Sequence, residues 1–252
     1  MQIRMDKFLA DAGFGTRSEV KKKLKTETVM VDGVRIRDAA FRFDPEKQQV
    51  TVNGKAVSFQ LLSYYMLNKP KGVVSATKDP MEKTVVDLVP DGRRRDLFPV
   101  GRLDKDTEGL LIITNDGQLS HRLLSPKHHV KKEYLVLYRG ALSPEAEEML
   151  RTGVDIGDEK PTLPAELTLL SPATCILDVQ NSDETENIDI HLCLIGITEG
   201  RYHEIKRMFA AVGSEVISLK RVSMGKLRLD PSLLPGESRQ LTPEELMLLN
   251  EG

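Results

Sequence analysis

The chain has 252 residues, of which 40% are apolar and 29% charged, with a net charge of −2; this balance fits a globular fold and excludes a low-complexity or collagen-like chain. Tryptophan is absent and aromatics make up only 5%, so the core must be mainly aliphatic. No apolar run approaches the length of a membrane span, and the opening MQIRMDKFLADAG lacks a secretory apolar stretch, so a soluble cytoplasmic protein is expected.

The charge is unevenly spread. Residues 1–60 hold 12 Lys and Arg against 8 Asp and Glu, a surplus of four positive charges, which leaves the remainder at −6. A basic head on an acidic body points to an anionic partner at one end. Met5, Phe8, Leu9 and Ala12 fall on one face of a short helix that Gly13 can end. Thr16 and Glu19 form a capping box. The helix they open buries Val20 and Leu24 and turns Arg17, Lys21, Lys22 and Lys25 outward. VMVDGVRIRD and QQVTVNGKAV each alternate around an Asp-Gly or Asn-Gly pair, the signal of a tight hairpin. The four outward cations suit a phosphate backbone, or simply a solvated helix face.

From Ser63 onward the pattern changes. SYYMLNKPKGVVSAT predicts a strand, a turn at Asn68 to Gly72 and a second short strand; TVVDLVP predicts a brief helix before the basic tip Arg93-Arg94-Arg95. Gly109 to Thr114 reads as a buried strand and QLSHRLLS as a helix. EYLVLY, IDIHLCLIGI and VISLKRV read as strands. Ser143-Pro144 opens a helix that closes at Gly153. YHEIKRMFAAVG places Ile205, Met208, Phe209 and Val212 on one helical face, and Thr242 to Glu245 caps a last helix. The expected class is α+β with a mostly antiparallel mixed sheet.

The run GRLDKDTEGLLIITNDG carries Asp104, Asp106 and Glu108 at alternate positions before Gly109. These match the opening of a calcium loop, but its twelfth position is Asn115 instead of a bidentate Glu, and a strand follows where a helix should. A solvated acidic turn accounts for Asp106 and Glu108. Asp104, next to Arg102 and just before a buried strand, is placed either in that turn or as a nucleophile or base held at the edge of a cleft. The five histidines form no convincing ligand set and Cys175 and Cys193 lack metal spacing. No metal is expected, and the cysteines are expected as free thiols.

MDKFLADAGFGTRSEVKKKLK with VMVDGVRIRD resembles the small RNA-binding domain first described in ribosomal small-subunit protein four, although Thr26-Glu27-Thr28 departs from its usual pattern. PVGRLDKDTEGLLIITNDGQLSHRLLSPKHHVKKEYLV, YYMLNKPKGVVSAT and EGRYHEIKRMFAAVGSEVISLKRVSMG together are very similar to pseudouridine synthases of the RsuA family, and the likeness runs from residue 1 to about 245. It implies a binding domain over 1–58, a linker over 59–62, and a catalytic domain over 63–252 with a central cleft. It further implies Asp104 as catalytic aspartate, Tyr134 as the tyrosine beneath the target base, Lys206 as the cation paired with the aspartate, and Ile205 as an aliphatic wall. Arg102, Arg201 and Arg207 become substrate-binding candidates, and Arg17, Lys21, Lys22 and Lys25 RNA-binding ones. The implied reaction isomerises a uridine in ribosomal RNA without a cofactor or metal, in a monomer that meets a small-subunit assembly intermediate. The YHxxKRMFAAVG pattern resembles the branch acting at uridine 516 of 16S RNA; a 23S synthase and a non-catalytic assembly factor are the alternatives.

Overall fold

The computed structural model describes residues 2–57, 62–90, 96–170 and 189–250. Its first elements are β1 (Ile3–Arg4), α1 (Met5–Asp11), α2 (Arg17–Thr26), β2 (Val29–Val31), β3 (Val34–Arg35), β4 (Arg42–Phe43), β5 (Val50–Val52) and β6 (Lys55–Val57). The capping box at α2 is formed: the Thr16 hydroxyl accepts from the Glu19 amide, and the Thr16 amide donates to the Glu19 carboxylate. Asp32-Gly33 and Asn53-Gly54 both take positive φ, as two-residue hairpin turns of the primed kind require. They set the order β3-β2-β5-β6 of a four-stranded sheet. Met5, Phe8, Leu9, Val20, Leu24, Val29 and Val50 share a core separate from those of the later sheet. With Val20 and Leu24 buried, Arg17, Lys21, Lys22 and Lys25 lie exposed on α2.

The second assembly contains β7 (Tyr64–Lys69), β8 (Phe98–Pro99), β9 (Glu108–Thr114), α3 (Gly117–Leu124), β10 (Lys132–Arg139), α4 (Pro144–Thr152), β11 (Glu166–Leu170), β12 (Ile190–Ile197), α5 (Glu204–Ala211), β13 (Glu215–Met224), β14 (Leu227–Arg228), β15 (Ser238–Gln240) and α6 (Pro243–Asn250). Seven of these strands run in the order β11-β12-β10-β13-β9-β7-β15, with β14 beside β13 and β8 beside β9. All pairings are antiparallel except one. At the centre β13 meets β9 in parallel, Lys220 opposite Glu108 and Arg221 opposite Gly109.

The continuous apolar run of β9 has a simple cause. Leu111 and Ile113 enter one core together with Ile205, Met208 and Phe209 of α5, whereas Leu110 and Ile112 enter another with Leu119 and Leu123 of α3. A strand covered on both faces needs apolar residues at every position. The second short strand expected after Gly72 is absent: only Val74 bridges, to Thr84, while TVVDLVP forms a short 3₁₀ turn over Val85–Leu88. The expected tip Arg93-Arg94-Arg95, Cys175 and most of the 59–62 linker lie outside the described residues.

Candidate active site

The central parallel pair creates a seam, and the cleft opens beside it. Gly109 is obligatory there. Its φ is +101°, and a Cβ on it would stand 2.2 Å from the Arg221 carbonyl oxygen. This close approach fixes where β9 begins and therefore where the preceding loop, Arg102 to Thr107, must lie.

That loop is held from beneath by a residue the sequence did not single out. Lys69 is fully buried, and its ammonium donates to the carbonyls of Asp104 (3.0 Å), Lys105 (3.3 Å), Thr107 (2.9 Å) and Pro70 (3.1 Å). Burial pushes its pKa down to about 8 despite the acids nearby. Ser75 grips the same loop, donating its hydroxyl to the Leu103 carbonyl and accepting from the Leu103 amide. A lysine followed by Pro-Lys-Gly reads as a solvated turn; only the fold reveals it as the loop's anchor.

So fixed, Asp104 stands half-buried in a recess of about 90 Å³ lined also by Tyr134, Ile197, Ile205, Lys206 and Leu219. The recess opens into a groove of about 980 Å³ bordered by Arg102, Lys132, Tyr202 and Arg221. β10 supplies Tyr134, which is 7% exposed. The N-terminus of α5 supplies His203, Ile205 and Lys206, and the sequence-predicted Asp104, Tyr134, Lys206, Ile205, Arg102 and Arg201 all line this recess.

Two basic side chains approach Asp104: His203 Nε2 at 3.6 Å from Oδ1 and Lys206 Nζ at 3.7 Å from Oδ2. The tighter partner of Lys206 is Asp106, whose two oxygens lie at 2.6 and 2.7 Å. This hydrogen-bonded ammonium holds the Asp106 carboxyl below its usual range. Lys206 thus divides its ammonium between Asp104 and Asp106, because Asp106 follows Asp104 around the turn and reaches the same group. Glu108 faces Lys71 at 3.8 Å. Asp104 and Asp106 therefore share Lys206 while Glu108 meets Lys71, and among the described residues no group of three or more His, Cys, Asp or Glu is arranged to hold a metal.

Arg201 and Arg207 are committed elsewhere. Arg201 bonds Glu199 and the carbonyls of Lys160 and Pro161; Arg207 bonds Asp158 and the Ile156 carbonyl. Both tie the Ile156–Pro161 segment to the start of α5, and Arg207 does not line the cleft. The resulting rigidity supports His203, which caps α5 in a left-handed conformation at φ 49°. Tyr202 stacks on the His203 ring with 3.9 Å between centroids yet is 76% exposed.

A second unforeseen residue is Glu204, 4% exposed, whose Oε2 accepts from the Arg201 amide while Oε1 has no donor among the described residues. Burial, with ionised Glu199 alongside, pushes its carboxyl up to about 7. Although burial also acts on Glu199, its Leu163 amide and Arg201 bonds hold that carboxyl low.

A sheet with a central parallel seam, a loop aspartate, a buried tyrosine and a lysine at a helix N-terminus meet in one cleft, and residues 63–211 match the family model described as RNA pseudouridylate synthase. The chain belongs to that family and is an isomerase of RNA uridine. It is of the RsuA type: it is 39% identical over 246 residues to the ribosomal small subunit pseudouridine synthase A of Escherichia coli strain K12, covering 97% of this chain and 98% of that one. It is 49% identical, over 99% of both chains, to an RNA pseudouridine synthase of Bacillus subtilis strain 168 described as uncharacterized. A solved pseudouridylate synthase superposes with a TM-score of 0.65 at 34% identity, over 98% of this chain and 99% of the other.

Proposed function

We propose that this protein converts a uridine of 16S ribosomal RNA, at a site of the uridine 516 kind, to pseudouridine in the cytoplasm, acting as a monomer on a small-subunit assembly intermediate. The observation that carries the chemistry is Asp104 in the recess, within 4 Å of the Lys206 ammonium and the His203 ring and in the same lining as Tyr134. The full-length likeness to synthases named for the small subunit supports the choice of RNA.

Isomerisation breaks the bond from ribose to ring nitrogen, turns the base and joins the sugar to carbon-5. Nothing is oxidised and no group is gained, so no redox or group-transfer cofactor is called for. An ionised carboxylate is needed, either to attack the anomeric carbon or to remove a ribose proton. The Lys206 ammonium, 3.7 Å from Asp104, offsets the desolvation that a bound nucleoside brings to the carboxylate. Tyr134 offers a flat face beneath the base and a hydroxyl for proton transfer. Ile205 closes the pocket as an apolar wall.

A paired uridine is unreachable in this recess and must be flipped, at a cost of a few kcal/mol in lost stacking. Arg102, exposed at the rim, suits the strand left behind. Among the exposed large hydrophobics that the structure describes, Tyr202 is the sole aromatic, and aromatic rims beside cations suit unpaired RNA. The 1–58 segment serves as a separate RNA-binding domain through Arg17, Lys21, Lys22 and Lys25, joined by the 59–62 linker to the catalytic 63–252 domain.

The test is tritium release from carbon-5-labelled uridine in a 16S fragment. Wild type is expected to release label, and Asp104→Ala to lose at least a thousandfold in rate while still binding the fragment, in line with removal of a covalent or proton-transfer group. Equal release by both proteins overturns the role of Asp104. Release from a 23S fragment instead overturns only the choice of RNA.

A further inference from the structure

Lys132 and Arg221 both line the groove, and neither makes an ion pair among the described residues. Lys132 precedes Tyr134 by two residues on the same face of β10, and Arg221 is directly opposite Tyr134 across the β10–β13 ladder, where facing side chains begin about 5 Å apart. Lys132 is 9% exposed and Arg221 2%. The ammonium of Lys132 reaches only the Glu199 carbonyl, at 3.5 Å. Arg221 donates Nε to the Leu110 carbonyl at 2.7 Å, while its Nη2 is buried without a partner. No carboxylate of the described residues lies within the 4.0 Å of an ion pair to either one.

Two neighbouring buried cations without an ion-paired anion are costly. Their conflict is visible in Lys132, whose pKa is lowered by burial and further by the Arg221 charge, with only the more distant Glu204 carboxyl acting against them. Other buried or cleft cations are satisfied: Lys69 by four carbonyls, Lys206 by Asp106, Arg201 by Glu199. The missing partner must be an anion that enters the groove from outside. It must also lie within a sugar's length of a base resting on Tyr134, because Arg221 neighbours that tyrosine in the ladder. A strand phosphate meets both conditions.

We propose that Lys132 and Arg221 form an oxyanion subsite that takes a phosphodiester group flanking the uridine held over Tyr134. The assignment rests on the reading of the cleft as an RNA site. The bound phosphate neutralises the pair, so the subsite registers the sugar relative to Asp104 as well as adding affinity. Arg221, fixed by Leu110 at the seam, is the rigid half; Lys132, on a flexible stem, is the adaptable half.

The experiment uses the full chain, a 16S fragment spanning the proposed site, and Lys132→Met, which keeps the aliphatic stem and leaves the Arg221–Leu110 bond intact. The phosphates on either side of the uridine are replaced singly by uncharged methylphosphonate, and dissociation constants are measured. One replacement is expected to weaken wild-type binding roughly tenfold or more, as for loss of a charged hydrogen bond. Lys132→Met is expected to lose a similar factor with the normal RNA and to be nearly indifferent to that methylphosphonate. Its log–log salt slope should be shallower by roughly 0.7. In parallel, acylation of the Lys132 amine is expected to slow when the fragment binds.

Equal sensitivity of both proteins to every methylphosphonate overturns the subsite, as does acylation unaffected by RNA. If inorganic phosphate protects Lys132 and the fragment does not, the pair takes a free anion and the strand contact is wrong. None of these readouts needs turnover. Phosphate coupling without tritium release would leave the subsite standing and remove the isomerase reading; release without coupling would do the reverse.

Discussion

Glu204 carries a pH dependence whose sign follows from its surroundings. Its folded pKa, about 7, lies above the 4.5 of an exposed glutamate, so the folded state binds the extra proton. The associated stability is complete below pH 4.5 and is lost as pH rises through 7. The facing charges are Glu199 and Arg201 from the preceding loop and Lys132 from β10. Gln in its place accepts the Arg201 amide, donates to Glu199 and never ionises. Glu204→Gln is therefore expected to be more stable at pH 8 by on the order of 2 kcal/mol, about 4–8 °C in midpoint for a chain of this size, and to converge on wild type near pH 5. Thermal denaturation at both pH values checks this; parallel curves for the two proteins would exclude a raised Glu204 pKa. None of this was readable from YHEIKRM, in which a glutamate among Lys and Arg looks like a surface residue. Its burial is set by the Arg201 turn and by Glu199, contacts that periodicity does not encode.

At the scale of elements, the hairpins were legible because Asp-Gly and Asn-Gly encode their own backbone, α2 and α4 because a capping side chain opens each, and α1 and α5 because their apolar residues share one face. β11 escaped notice: ELTLL alternates weakly at the edge of the sheet, with Glu166, Thr168 and Leu169 exposed. β1, β4 and β15 are two or three residues long and exist only through distant partners, whereas the two-residue β14 turns straight back onto β13. The site divides in the same way. Asp104, Tyr134 and Lys206 came from motif likeness, whereas Lys69 beneath the loop and Asp106 on Lys206 required the fold, since 35 and 100 residues separate the members of those contacts. Gly109 belongs to both categories, visible as a glycine before a buried strand but explained only by the parallel seam. Gly109→Ala drives a methyl group into the Arg221 backbone at 2.2 Å. Neither strand can yield without breaking a sheet covered on both faces. The expected loss is about 4 kcal/mol or more, about 10 °C in midpoint. A midpoint within 2–3 °C of wild type would show that the seam is looser than its geometry states.

For the whole molecule, the charge distribution and the two sets of cores point to a division of labour. The first 60 residues carry a net +4 against −6 for the rest, and their apolar side chains form a core of their own. The later segment is acidic in balance, yet Lys132, Arg221 and Arg102 border the same groove as Asp104. On the function proposed above, long-range attraction of RNA belongs mainly to the first segment and registration to the second. An acidic body discourages indiscriminate binding, which on that proposal makes the basic face of α2 and the cleft act together. Removing residues 1–58 should separate the two contributions. The shortened chain is expected to bind the 16S fragment more weakly, with the salt slope reduced by roughly 0.7 for each lost phosphate contact, up to about 3 if Arg17, Lys21, Lys22 and Lys25 all contribute. Its rate of tritium release at saturating RNA should stay within a few-fold of the full chain, because Asp104, Tyr134 and Lys206 all lie beyond the cut. A salt slope that does not change would place the electrostatic contact elsewhere, and a collapse of the saturated rate with a native melting profile would mean that the first segment helps to shape the cleft itself.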